Sequence, residues 1–336
     1  MERMKNRGWL LAGVVAMTMV VTACGAQNSA GTTSGGSDVG KVKKIGIIQI
    51  MDHPALNAAR DGFIQALADA GYKEGEKVTF DRQNAQNDQS VAKTIADKFV
   101  RDKDDLILAV ATPSAQAVYN ATKTIPIVFT AVTDPVKAGL VQSLDHPGTN
   151  VTGTSDAVPI GEQLKLIQQI LPHAKNVGFL YNPGEPNSVV QLDQAKQVAP
   201  QFGFNLIPQP VSGLNDVKVA TAQLTGKVDA IYVPTDNTVV SAIATVVATA
   251  KEKKIPVFGS EEGQVQQGAL ITKGIDYKKL GYQAGQLAVK ILSGADPKTL
   301  PVETAKNLGV VVNLKTAQDL GITIPDSLLQ DAKKIQ

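Results

Sequence analysis

The sequence predicts an α/β fold of two parallel-sheet lobes joined by a hinge of several strands. From Lys41 onward, short β-branched runs alternate with longer helical patterns, the signature of βαβ units. The alternation occurs twice with matching landmarks. A further group of elements near the carboxyl end is left over to close both lobes.

The first set of strand candidates is Lys44–Ile50, Lys77–Arg82, Leu106–Val110 and Ile127–Thr130; the second is Val177–Tyr181, Asn205–Pro208, Ala230–Val233 and Pro256–Gly259. Helical patterns fall at Ala55–Ala70, Ser90–Arg101, Pro159–Leu171, Ser188–Gln201 and Thr238–Lys253. Such strands suit a parallel sheet covered on both faces. Lys43-Lys44-Ile45-Gly46-Ile47 is echoed by Lys175-Asn176-Val177-Gly178-Phe179, and Asp105-Leu106-Ile107 by Asp229-Ala230-Ile231. Ile125-Pro126-Ile127-Val128-Phe129 is echoed by Ile255-Pro256-Val257-Phe258. The offsets are 132, 124 and 130 residues, close to one period, which argues for two similar lobes.

The tail reads as a strand at Gly268–Thr272, a helix at Tyr277–Leu292, a strand at Leu308–Asn313 and a short helix at Lys315–Leu320. For these to complete both lobes, the chain must cross more than once. Crossings are expected near Thr154–Val158, Lys273–Asp276 and Glu303–Asn307. The expected lobes are residues 43–155 with 275–306, and 156–274 with 307–336.

The amino terminus reads as an export signal. Arg3, Lys5 and Arg7 precede an uncharged stretch, Gly8–Val21, and then Val21-Thr22-Ala23-Cys24. The apolar run is short of the ~20 residues of an ordinary membrane span. The sequence resembles the lipobox of bacterial lipoproteins, with Val where the commoner form has Leu. Lipidation of Cys24 and anchoring to the cell membrane are therefore expected, with residues 1–23 removed. Residues 24–42, rich in Gly, Ser and Thr, read as a flexible tether.

Removing the signal takes Lys+Arg from 33 to 30 and Asp+Glu from 31 to 30, so the mature chain is formally neutral. No basic face for a nucleic acid is indicated. With Cys24 the only cysteine, no internal disulfide can form, and the core must come from burial alone. The single tryptophan, Trp9, lies in the signal, and only Arg60, Arg82 and Arg101 follow it among arginines.

In open α/β sheets, ligands bind beyond the carboxyl ends of strands, at helix amino termini. The loops there are polar: Gln49 to His53, Thr112-Pro113-Ser114, Thr133-Asp134, Tyr181 to Ser188, Pro234 to Asn237, and Ser260-Glu261-Glu262. Ser155, Asp156 and Asp276 lie at expected crossings. This chemistry suits a zwitterion. A carboxylate would take bonds from backbone N–H groups and from the hydroxyls or amides of Thr112, Ser114, Asn187 or Ser188 at helix starts. An ammonium would need an acid, with Asp134, Asp156, Asp236 and Asp276 as candidates. Each residue alone is equally an ordinary cap or turn former; their collection at strand ends is the signal. Gln49, His53, Thr133, Ser155, Tyr181, Asn182, Glu185 and Asn237 complete the candidate set.

His53, His146 and His173 show no metal-ligand spacing, and no metal or cofactor is expected. No P-loop, GxGxxG, GxSxG or nucleophile with its base is present, so an enzyme is disfavoured.

Particular motifs carry a resemblance: Ile45-Gly46-Ile47-Ile48-Gln49 with His53-Pro54-Ala55-Leu56; Asn84-Ala85-Gln86-Asn87-Asp88; Ala111-Thr112-Pro113-Ser114-Ala115; Ile127 to Pro135, ending in Ala131-Val132-Thr133-Asp134-Pro135; Asn150 to Asp156; Glu185-Pro186-Asn187-Ser188; and Pro234-Thr235-Asp236-Asn237. Over residues 43–325 the chain resembles the solute-binding proteins of ABC importers. More narrowly, it is similar to the tryptophan/tyrosine ABC transporter substrate-binding proteins. The resemblance implies two Rossmann-like lobes of the periplasmic-binding fold of the first type. It also implies an aromatic amino acid bound between closing lobes, a monomeric receptor, and an ABC permease and ATPase as partners. A sensor receptor of the same fold, or a nucleoside or sugar as ligand, are the alternatives. Scarce arginine argues against a strongly anionic ligand.

Overall fold

A computed structural model describes residues 41–306 and 308–336. The export signal, Cys24 and most of the tether lie outside the described residues, as does Asn307 in the third expected crossing.

The first half builds β1 (Lys43–Gln49), α1 (Pro54–Asp69), β2 (Val78–Asn84), α2 (Gln89–Arg101), β3 (Leu106–Val110), α3 (Thr112–Ala121), β4 (Ile127–Val132) and β5 (Val151–Ser155). The second builds α4 (Ile160–Ile170), β6 (Asn176–Tyr181), α5 (Pro186–Val198), β7 (Asn205–Pro210), α6 (Val217–Thr225), β8 (Ala230–Tyr232), α7 (Asn237–Ser241), α8 (Ile243–Lys251) and β9 (Val257–Phe258). The tail adds α9 (Glu262–Gln266), β10 (Ile271–Gly274), α10 (Tyr277–Leu292), β11 (Glu303–Thr304), β12 (Gly309–Asn313), α11 (Leu314–Leu320), α12 (Asp326–Leu329) and β13 (Lys333–Ile335).

One sheet runs β2-β1-β3-β4-β5-β11, all parallel; a second runs β7-β6-β8-β9, also parallel. The shared order of the first four strands is the structural form of the sequence echo. A shared hydrogen bond makes it closer. The Asp105 carboxylate accepts from the Lys44 backbone N–H at 2.8 Å, and the Asp229 carboxylate accepts from those of Lys175 and Asn176 at 2.8 Å. Each aspartate clamps the amino end of its sheet. A small third sheet, β10-β12-β13, follows β9, and Leu270 N–H to Val257 O and Gly259 N–H to Ile271 O join the two.

Every residue of β3, β4 and β5 is buried, as helices on both faces require. The chain leaves the first sheet after Ser155, returns to pack α10 on α1, adds β11 to that sheet, and leaves again to form β12. These are the three crossings that a tail shared by two lobes demands. The first two are tied together: Gln163 Nε2 donates to the Lys273 carbonyl at 2.7 Å, and Lys273 pairs with Glu162 at 2.8 Å.

Differences from the sequence reading have local causes. The helix expected at Ser188–Gln201 starts two residues earlier and gives way to a 3-10 turn at Ala199–Phe202, because Pro200 cannot donate within a helix. The helix expected at Thr238–Lys253 is two helices. Ser241 turns its hydroxyl onto the Thr238 carbonyl, and the chain breaks at Ala242. Helices α6 and α9 were not expected, and α3 was given no range; Thr112-Pro113-Ser114, read as a polar loop at a helix start, forms the first turn of α3 itself. Strand β5 carries Gly153 and polar threonines, which hid it.

Helices α1 and α10 lie so close that neither tolerates a side chain at their crossing. A Cβ on Gly281 would come within 1.8 Å of the Ala59 carbonyl oxygen, and one on Gly62 within 2.0 Å of that of Lys278. Gly281→Ala is expected to destabilise by about 1–3 kcal/mol through overpacking, seen as a lowered Tm; an unchanged Tm would contradict the close approach.

Candidate functional site

The carboxyl ends of both parallel sheets face each other across a small cavity. The first half contributes His53, Ala55 and Leu56 at the start of α1, and Ala131 in β4. The second contributes Asn187 at the start of α5, then Thr235, Asn237 and Val240 around α7. Asp156 on the first crossing, Glu261 capping α9 and Tyr277 opening α10 complete the wall.

The halves touch directly. His53 Nε2 lies 3.4 Å from Asn237 Oδ1, Asn87 Nδ2 donates to Thr238 Oγ1 at 3.1 Å, and the Thr133 and Thr235 hydroxyls lie 3.3 Å apart. The last pair belongs to a directional chain. Gln191 Nε2 donates to Thr235 Oγ1 at 2.6 Å, the Thr235 hydroxyl faces Thr133, and Thr133 Oγ1 donates to Asp156 at 2.9 Å. The Tyr277 hydroxyl donates to the other Asp156 oxygen at 2.6 Å.

Acidic groups accumulate without a cation. Asp156, Glu185, Asp236 and Glu261 are all buried, and no Lys or Arg lines the cavity among the described residues. Burial raises the Asp156 carboxyl, opposed by the bonds from Tyr277 and Thr133. Burial pushes Glu261 up to about 7, although the N–H groups of Gly263 and Gln264 at 2.5 and 2.7 Å favour its charge. Asp236 is raised by burial and then by the charge of Glu185. His53 moves the other way. Burial lowers it to about 4, so its ring is neutral at ordinary pH.

Glu185 organises the second half. One oxygen accepts from Asn237 N–H and Nδ2 at 2.9 and 2.6 Å, and the other from Thr238 N–H and Oγ1 at 2.9 and 2.8 Å. It thus gathers the first turn of α7, the turn that His53 and Asn87 meet from across the cavity. Asp236 caps the same helix through Val239 N–H and takes the Ser188 hydroxyl at 2.6 Å.

Of the residues expected at the site, His53, Asp156, Asn187 and Asn237 line the cavity. Glu185, Ser188, Asp236 and Thr133 stand behind that wall, holding it by hydrogen bonds. The buried Gln49 side chain braces the loop before α1 through Met51 O and Asn57. Ser155 bonds the Thr133 carbonyl, and Asn182 steadies its own turn and Thr238. Tyr181 packs edge-on against Phe179 beneath the site. Asp134 caps a turn at Lys137, and Asp276 caps α10 and pairs with Lys279; neither lines the cavity, because each is used on its own turn. Thr112 Oγ1 and Ser114 Oγ are buried at the start of α3 with no partner among the described residues.

Glu261, Tyr277, Thr235 and the apolar Leu56 and Val240 were missed as wall residues. Glu261 stood in a loop already read as polar, and Tyr277 directly follows a crossing; those positions were the available signal. Backbone strain gathers on the first half's site edge: Gln86, Asn87, Ala111 and Ala131 all hold positive φ, between 53° and 79°. Left-handed non-glycine residues of this kind cluster at functional sites.

A family model described as ABC transporter substrate binding protein matches residues 44–336. The chain belongs to this family. Its fold is the type I periplasmic-binding fold. The chain is 47% identical over 314 residues, 93% of its length and 90% of the relative's, to a tyrosine-binding protein of Clostridioides difficile. It is similar to an ABC domain in complex with L-Trp from Streptococcus pneumoniae, at 38% identity and TM-score 0.85, covering 88% of this chain and all of that one. It is also similar to the ligand-free, open structure of a Clostridium difficile substrate-binding protein with adhesive properties, at 47% identity but TM-score 0.68, covering 88% and 99%. The lower score at higher identity agrees with the direct bonds across the cavity: this substrate-binding protein is seen with its halves together. ABC substrate-binding proteins are extracytoplasmic, and no helix among the described residues is long and apolar enough to cross a membrane.

Glu261 makes a titration test. Its folded pKa of about 7 exceeds the ordinary 4.5, so between these values the folded chain holds a proton that the unfolded chain has lost. Stability of the ligand-free protein therefore falls as pH rises through that window. His53 acts in the opposite sense between about 4 and 6.5. Glu261→Gln removes the first effect and keeps the second, so its Tm is expected to fall less than the wild type's between about pH 5 and pH 8. Parallel curves would sink this assignment.

Proposed function

We propose that this ABC transporter substrate-binding protein captures an aromatic amino acid between its lobes and delivers it to a permease and its ATPase. The observation that carries the reading is the cavity wall itself. Two buried carboxylates, Asp156 and Glu261, have no cation, and they face Leu56, Val240 and the Tyr277 ring. A ligand that fits must bring a positive charge and an apolar body. The ammonium takes Asp156 and Glu261. Relatives that bind tyrosine and L-Trp support an aromatic side chain.

Closure is the mechanism. Residues 43–155 with 275–306 swing against 156–274 with 307–336 on the three crossings. The few bonds across the cavity, at 3.1–3.4 Å, are weak alone. A ligand touching both lobes supplies the differential affinity that favours the closed arrangement, which the permease then reads. No chemistry is performed on the ligand. Lipidated Cys24 and the tether to residue 42 hold the monomeric receptor at the membrane outer face.

Binding reads out directly. Because Trp9 is removed with the signal, the mature protein has no tryptophan, and added L-Trp reports its own capture by fluorescence polarisation. Calorimetry is expected to show binding of L-Tyr or L-Trp, weakened at least about tenfold by Asp156→Asn through loss of a charged bond. Binding near pH 7 is expected to release protons, because an ammonium lowers the Glu261 pKa. Silence from all aromatic amino acids would refute the ligand class. Cys24→Ser is expected to abolish fatty-acid labelling and shift the protein from the membrane fraction to the soluble one; unchanged membrane retention would refute the anchor.

A further inference from the structure

The cavity wall contains a histidine whose tautomer is dictated from the opposite lobe. Both Glu185 oxygens are acceptors, so the Asn237 side-chain nitrogen faces Glu185 at 2.6 Å and its oxygen must face His53. An amide oxygen can only accept. His53 Nε2 therefore carries the ring proton and donates it at 3.4 Å. With the ring neutral, Nδ1 is left with a lone pair. That nitrogen is buried and has no partner among the described residues, and His53, although it caps α1, makes no capping bond with it.

A buried acceptor left unpaired is costly, and a site holding one discriminates against ligands that cannot donate to it. We propose that His53 determines specificity: its Nδ1, fixed as an acceptor by the Glu185–Asn237 relay, receives a hydrogen bond from the ring of the ligand, selecting aromatic side chains that carry an O–H or N–H. This deepens the proposed function and rests on it. Two donors could reach Nδ1, the ligand's ring or its ammonium. Asp156 and Glu261 on the same wall offer the ammonium its charge partners, which leaves the ring donor for the neutral histidine.

Two isosteric pairs test this by calorimetry on the purified protein: L-Tyr against L-Phe, and L-Trp against 3-benzothienyl-L-alanine, whose ring sulfur replaces the indole N–H. The wild type is expected to prefer the donor-bearing member of the better-bound pair by about tenfold or more. His53→Phe is expected to bring that ratio towards one, the donor-bearing member losing more affinity than its partner. Equal wild-type binding within both pairs overturns the proposal, as does a variant that weakens both members alike, which would assign Nδ1 to the ammonium. A second readout avoids reliance on the variant's folding. In nitrogen-15 spectra of the wild-type histidine rings, His53 is expected to be protonated on Nε2 alone, with Nδ1 shifting when L-Tyr or L-Trp binds. A proton on Nδ1, or a ring unmoved by the ligand, overturns it. If none of the four compounds binds, the aromatic ligand class and this specificity fall together; binding without discrimination removes only the latter.

Discussion

Acidic groups kept out of water without a cation govern this molecule. Asp156 and Glu261 line the cavity between the lobes, and Asp236 and Glu185 lie just behind it, with hydrogen bonds as their compensation. Buried ions of one sign are unfavourable unless something balances them. Bonds from Tyr277, Thr133 and the N–H groups at the starts of α7 and α9 reduce the cost but do not remove it. A ligand ammonium would relieve it, and only with the lobes together, since Asp156 lies on a crossing and Glu261 on the second half. Under the proposed function, affinity and closure would draw on the same electrostatic deficit.

The fold makes this possible by routing. Three passages between sheets place Asp156 and Tyr277 on or beside the segments that cross, so their 2.6 Å bond couples one crossing to the next. The glycine seam between α1 and α10 then carries Tyr277 and the His53 end of α1 as one unit. Wall residues on these two helices share one rigid support, whereas those on α5, α7 and α9 are held by the second core.

Much of this was legible in the sequence, for identifiable reasons. Strands β1, β3, β6 and β8 announce themselves as β-branched runs, and the paired Asp105 and Asp229 motifs reveal the repeat because the same clamp is needed twice. His53, Asp156, Asn187 and Asn237 could be placed at the site because polar residues at strand ends have few other reasons to gather. Sequence could not separate Asp156 from Asp134 or Asp276. All three are aspartates at turns, and only packing decides which one loses contact with water. Tyr277 and Val240 were hidden because helix periodicity assigns such residues to a core. The extent of α3 was hidden because Thr-Pro-Ser serves a turn as readily as a helix start.

The aspartate clamps have a wider consequence. They fasten the amino ends of both sheets identically, while the carboxyl ends have become unlike: one edge carries strained backbone and unpartnered hydroxyls, the other capped carboxylates. Scaffold and recognition thus occupy opposite poles of each lobe. Substitutions at the recognition pole can change which molecule is held without loosening the fastening at the other, so relatives of one architecture can diverge in cargo while keeping the same frame.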